Sequence, residues 1–261
     1  MHADPGSQGF HPSWRSFAAV QGGLVAGHML QAAADVFPGS ARTFSTYFLG
    51  PVTPDTPVST EVLPDRTAGT SSYRVELRQG GTLVAVAQGL HVRARAGADE
   101  ARTQTWPAPG AAADLDADTG TPGQGEPFAP PVDFVPVSQH LEMRMLDEQR
   151  PASGGEPELN AWVRVRPASA RWTPLVQLCL LADALPPSAF VLLPEPVGLP
   201  TVELTVHLAR TPPPAGAWLR LRQRMTWLDD DVAVDDAVMH DEHGRLTAVV
   251  RQTRRTVRPR P

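Results

Sequence analysis

From Gly22 to Asp35 the chain reads as a helix: Val25, Met29, Ala32 and Val36 recur at helical spacing, and Pro38-Gly39 stops it. Strand-like runs follow over Thr43–Leu49, Val58–Leu63, Ser71–Arg78 and Leu83–Arg93. In the third, Val75 and Leu77 alternate with Arg74, Glu76 and Arg78, the period-two pattern of a half-buried strand. Gln79-Gly80-Gly81 then reads as a hairpin turn. The second half predicts strands over Val135–Leu146 and Leu159–Arg166, then an apolar helix from Thr173 to Leu185 ended by Pro186-Pro187. Four more strands are expected near Thr201–Ala209, Ala217–Trp227, Val232–His240 and Leu246–Val257, with Gly244 at the last turn.

The two halves share residues as well as order. Thr46 to Pro54 and Thr205 to Pro213 both read T-x-x-L-x(4)-P. Asp35-Val36-Phe37-Pro38 matches Asp183-Ala184-Leu185-Pro186 as D-x-x-P. Gly81-Leu83 and Gln88 resemble Gly244-Leu246 and Gln252 with a one-residue slip. Matches in the same order indicate a duplicated module. One helix followed by four antiparallel strands, twice, gives an α+β architecture with each helix against a sheet.

Composition changes this picture in one place. Proline makes up 28 of 261 residues, about 11% against an average near 5%. Residues 97–131 hold six prolines and five glycines, together with six acids and one arginine. That connector therefore carries the whole net charge of −5, and the remaining 226 residues sum to zero. It reads as an acidic, solvated linker between an N-terminal repeat, 10–96, and a C-terminal repeat, 132–261. All 23 basic residues are arginine. Cys179 is the only cysteine, which excludes an intrachain disulfide and a cysteine-rich zinc site. No run of about 18 apolar residues spans a bilayer, and Met1-His2-Ala3-Asp4-Pro5-Gly6 lacks the marks of a secretory signal. An acidic chain without a basic patch is a poor nucleic-acid binder. The expectation is a cytoplasmic protein with no membrane or nucleic-acid partner.

Several segments resemble the acyl-CoA thioesterase II family. In the first half these are Gln21-Gly22-Gly23-Leu24-Val25-Ala26-Gly27 and the aromatic strand Phe44–Leu49. In the second half, Leu181 to Pro187, Leu199 to Leu204 and Ala248 to Gln252 resemble the family's three active-site segments in order. The resemblance implies a double hotdog fold, in which each repeat wraps a long helix with an antiparallel sheet. It further implies hydrolysis of acyl-CoA to acid and coenzyme A without a cofactor or metal, and a homodimer. Carried over residue by residue, the catalytic Asp, Thr and Gln fall on Asp183, Thr201 and Gln252. Gly22 and Gly23 match the helix start that holds the thioester. Gln21 departs from the pattern, since many relatives have histidine there.

Each residue type suits the chemistry. A buried aspartate is a general base with a raised pKa, worth ~10²–10⁴-fold. A hydroxyl and an amide orient a water. A helix N-terminus offers N–H groups to a developing oxyanion. The position matching Thr201 in the first repeat falls near Arg42-Thr43, so one principal site per chain is expected. Plainer readings stand beside these. Asp183 as a helix-end cap, Thr201 as a strand start and Gln252 as an outward polar residue would make a non-catalytic acyl-ligand binding protein. Cys179 reads as packing, and His240-x-x-His243 as a solvated loop. Asp229-Asp230-Asp231 with Asp235-Asp236 reads as a solvated turn and edge, and Arg210, Arg254, Arg255 and Arg258 as candidates for CoA phosphates.

Overall fold

A computed structural model describes residues 9–93, 121–194 and 197–257. Two short strands, β1 (Arg15–Ser16) and β2 (Ala19–Val20), pair with each other and lead into α1 (Gly22–Val36). Next come β3 (Ser40–Phe48), β4 (Val58–Arg66), β5 (Thr70–Gln79) and β6 (Thr82–Val92). The later part contains β7 (Glu126–Phe128), β8 (Leu141–Met145), β9 (Glu158–Val165) and α2 (Pro174–Ala182). It closes with β10 (Thr201–Leu208), β11 (Leu219–Leu228), β12 (Val232–Asp241) and β13 (Leu246–Arg255). Strands β3 to β13 form one antiparallel sheet in the order β4-β5-β6-β3-β10-β13-β12-β11-β9-β8-β7.

The alternation seen in the sequence is what builds this sheet. Tyr73, Val75 and Leu77 of β5 are fully buried, while Arg74 faces solvent. Gly80 and Gly81 both take positive φ, at 55° and 83°, and close the β5–β6 hairpin with the twist that adjacent strands require. At the centre, β3 and β10 pair from Thr43↔His207 to Tyr47↔Glu203, joining the early and late strands. This seam brings residues about 160 positions apart in sequence into hydrogen-bonding contact.

The two helices pack on each other. An added Cβ at Gly27 would sit 2.8 Å from the Val176 carbonyl oxygen, and one at Gly23 would overlap the Cys179 carbonyl. Glycines one turn apart thus let α1 ride directly on the α2 backbone. Leu24, Met29, Leu30 and Ala33 of α1 and Leu178, Cys179 and Leu180 of α2 fill the core between helices and sheet.

Four boundaries and faces differ from expectation. Val25 and Met29 of the expected face are buried, but Val36 is 58% exposed, and the buried face also takes in Ala26, Leu30 and Ala33. The last turn of α1 passes beyond its cover, so periodicity alone picks the wrong edge. The strand expected from Val135 begins only at Leu141, because Pro136 opens a 3-10 turn over Pro136–His140. Helix α2 ends at Ala182, leaving Asp183 as its C-cap, so it has nine residues and is not long. Of the connector, residues 97–120 lie outside the described residues. Its later part supplies β7, which pairs with β8 at the sheet edge, where Pro127 is tolerated. Among the described residues no helix is long and apolar enough to cross a membrane.

Candidate active site

Asp183 is placed by two helices at once. It caps the C-terminus of α2, and its Oδ2 accepts the Gly23 N–H at the start of α1 at 3.0 Å. The N-terminal end of α1 thus aims its positive dipole end at the carboxylate. Gln21 locks the junction. Its Oε1 caps α1 by accepting the Leu24 N–H at 2.7 Å. Its Nε2 donates to the Asp183 carbonyl at 2.7 Å and the Leu180 carbonyl at 3.1 Å.

Strand register delivers the other groups. Thr201 opens β10 directly opposite Arg254 of β13, and Gln252 stands two residues earlier on the same inward face. Gln252 Nε2 donates to the Ala182 carbonyl at 2.9 Å, beside Asp183. The Thr201 hydroxyl and the Gln252 side chain both lie close enough to the Asp183 carboxyl to favour its ionised form. The structure therefore brings Asp183, Thr201 and Gln252 to one point, with Gly22 and Gly23 on the adjoining helix start. Gly23 has its N–H engaged by Asp183 and so anchors the carboxylate. A Cβ on Gly22 would lie 3.2 Å from both Asp183 Oδ2 and the Phe48 ring, so this backbone borders the same point. Among the described residues, no group of His, Cys, Asp and Glu is placed to hold a metal ion.

Two domain families match the chain: the acyl-CoA thioesterase N-terminal domain over residues 10–93, and the acyl-CoA thioesterase C-terminal domain over residues 109–255. This chain belongs to the acyl-CoA thioesterase family. Its chemistry is thioester hydrolysis. No curated protein matches the thioesterase in sequence. Its fold is similar to that of a hotdog protein of unknown function from Alicyclobacillus acidocaldarius, with 21% identity, all of both chains covered and a TM-score of 0.78. A thioesterase II of Thermobifida fusca, described as putative, shares 22% identity over 95% of this chain and 90% of its own, with a TM-score of 0.77. The acyl-CoA thioesterase II TesB2 of Mycobacterium marinum shares 19% identity over 93% and 92%, with a TM-score of 0.67. These likenesses establish the hotdog fold.

The electrostatics around Asp183 follow from burial. The Asp183 side chain is 9% exposed. Loss of hydration pushes its carboxyl above the usual range, while the Arg254 guanidinium, the Gly23 N–H, Gln252 and Thr201 pull in the opposite direction. Cys179 is fully buried between the helices, and desolvation pushes its thiol up to about 12, so it remains a neutral packing group.

Three residues were not read from the sequence as parts of this site. Gln21 stood out only as a departure from a family pattern, yet it ties α1 to α2. Arg254, expected to meet CoA phosphates, is 4% exposed and points inward. Asp235, expected in a solvated edge, is 2% exposed and accepts from Arg254 Nε at 2.9 Å. Asp236, beside Asp235, reaches solvent as expected and pairs with Arg251 at 2.6 Å on the opposite face. Parity carried the signal for both inward residues. Ala248, Val250, Gln252 and Arg254 alternate on one face of β13, as Ala233, Asp235, Ala237 and Met239 do on β12.

Proposed function

We propose that this thioesterase hydrolyses acyl-CoA to a free acid and coenzyme A at the Asp183, Thr201 and Gln252 constellation. Asp183 accepts a proton from the attacking water, and Thr201 and Gln252 hold that water and the carboxylate in line. The Gly22 N–H and the positive end of α1 stabilise the oxyanion that develops on the thioester carbonyl. The observation that carries this reading is the convergence of an aspartate, a hydroxyl and an amide from α2, β10 and β13 on the N-terminus of α1.

The same proposal includes two hotdog repeats. The order β3-β6-β5-β4 runs outward from the seam on one side, and β10-β13-β12-β11 on the other. Ser45 pairs with Gln88 in β6, and Leu204 pairs with Gln252 in β13. Matching Thr46 to Thr205 thus matches Gln88 to Gln252. That alignment sets Arg42 at the position of Thr201. Arg42 donates to the Ala209 carbonyl at 3.0 Å. Asp35, the counterpart of Asp183, is exposed and accepts from Gln31 at 2.7 Å. The first repeat therefore supplies the helix start and the second the reacting groups, giving one principal site per chain. The connector and a homodimer belong to the same reading, which light scattering of the full chain tests for the dimer.

The experiment for the site is release of CoA thiol from short, medium and long acyl-CoAs by the wild type and Asp183→Asn. Hydrolysis by the wild type and a loss of at least ~10²-fold in the variant are expected. Full activity in Asp183→Asn would remove Asp183 from the mechanism. Acyl-CoA binding without turnover in the wild type would leave the non-catalytic binding reading.

A further inference from the structure

The Arg254 guanidinium lies beneath the site, and its donors are spread over three of the site's neighbours. Nη1 donates to Thr201 Oγ1 at 2.9 Å, Nη2 donates to Gln252 Oε1, and Nε donates to Asp235 Oδ2 at 2.9 Å. Nη2 is also 3.9 Å from Asp183 Oδ1. Both charged side chains of the Arg254–Asp235 pair are almost wholly buried, at 5% and 1% exposure. A buried ion pair adds little to stability compared with apolar residues of the same shape, so its position next to reacting groups calls for another account.

Arginine has five donors and no acceptor, and that asymmetry orders the site. The only Gln252 atom able to face Arg254 is the amide oxygen. The amide nitrogen is thereby turned the other way, towards the Ala182 carbonyl and Asp183. Thr201 Oγ1 likewise accepts from Arg254, which leaves its single proton to be donated onward. We propose that Arg254, held in place by Asp235, is the positioning residue of this site: it fixes Thr201 and Gln252 with their donors turned towards the Asp183 carboxylate and its water. The proposal rests on the site reading above and adds a residue to it.

The ionisable groups facing Asp183 are few. Arg254 comes from β13, Asp235 lies behind it on β12, and Cys179 is one turn earlier on α2 with its thiol kept neutral by burial. α1 contributes the Gly23 N–H and the Gln21 amide, β10 the Thr201 hydroxyl, and β3 the apolar Phe48 ring that borders Gly22. Arg254 is thus the one cation within this group, and its charge favours ionised Asp183.

The test uses full-length Arg254→Lys and the double variant Asp235→Asn/Arg254→Gln, with kcat, KM, pH profiles and thermal melts, and Asp183→Asn assayed alongside. Lysine keeps the charge but is a point donor without the planar fork, so it cannot hold Thr201 and Gln252 together. Arg254→Lys is expected to lower kcat by roughly 10- to 100-fold with little change in KM and an unmoved acid limb. The double variant is expected to lose a similar factor and to shift the acid limb to higher pH. Wild-type kcat in either folded variant, or an effect confined to KM, overturns the proposal. Loss of folding in both variants marks the pair as a structural ion pair and overturns it too. If Asp183→Asn retains full turnover, the site reading itself fails. An inactive Asp183→Asn beside a fully active Arg254→Lys removes only the positioning role.

Discussion

Gly23→Ala tests whether the close helix contact serves the chemistry as well as the packing. The new methyl would lie 2.9 Å from Asp183 Cβ, 0.5 Å short of the 3.4 Å at which ordinary contact begins, and would overlap the Cys179 carbonyl oxygen. The Cys179 overlap is the deeper of the two, and deeper than any at Gly27, so α1 must move away from α2 by more than that distance. Overpacking of this kind costs ~1–3 kcal/mol, and alanine returns up to ~1 kcal/mol of helix propensity. The net loss is ~0–2 kcal/mol, a fall in Tm between none and roughly 8 °C at this size. The Gly23 N–H bond to Asp183, now 3.0 Å, stretches to about 3.5 Å or beyond, where it is effectively lost. Misplacement on this scale costs up to ~10²-fold in rate. Gly27→Ala is the control. Its Cβ falls 2.8 Å from the Val176 carbonyl oxygen, a shortfall of 0.6 Å, one turn away from Asp183. Both variants should melt slightly lower than the wild type by calorimetry. In the CoA-release assay Gly23→Ala should lose far more kcat than Gly27→Ala. Equal losses in the two, or wild-type kcat in Gly23→Ala, would refute the argument.

Three further outcomes follow from the junction. Burial raises the folded-state pKa of Asp183, so the native protein binds that proton more tightly than the unfolded chain does. Asp183 therefore costs stability above its folded pKa, and the cost disappears as pH falls through it. Asp183→Asn should melt higher than the wild type at neutral pH, with the difference shrinking in acid. A difference that grows on acidification contradicts this sign. The acid limb of kcat/KM should lie above the usual carboxylate range for the same reason. Gln21→Ala removes the α1 cap and the donor to two carbonyls of α2. Cap loss alone costs ~0.5–2 kcal/mol, so denaturant titration should show at least that loss, and an unchanged midpoint would refute the role.

The elements were legible because their signals are local. Alternation in Tyr73–Leu77 and the Gly80-Gly81 turn specify β5 and its hairpin without reference to the rest of the chain. Asp183, Thr201 and Gln252 came from resemblance in short segments; proline marks the element ends at Asp183 and Thr201, whereas Gln252 lies within β13. Arg254 and Asp235 escaped because a charge in sequence is read as solvated unless its face is known. The inward parity of Gln252 extends to Arg254 two residues later, and that was the signal to follow. Gln21 has one local partner, the Leu24 N–H, but its partners across the junction, Leu180 and Asp183, lie about 160 residues away.

Hydrophobic periodicity and turn residues by themselves determined the two helices and the long strands, because those depend on neighbours within a few positions. Tertiary structure decided how the site's groups meet and added Gln21, Arg254 and Asp235 to them. The β3–β10 seam and the glycine-lined crossing of α1 and α2 set Gly23 against Asp183, and the registers of β10, β12 and β13 set Thr201, Gln252, Asp235 and Arg254 around it. Each of those contacts closes a loop of many residues, and no local propensity encodes where such a loop closes.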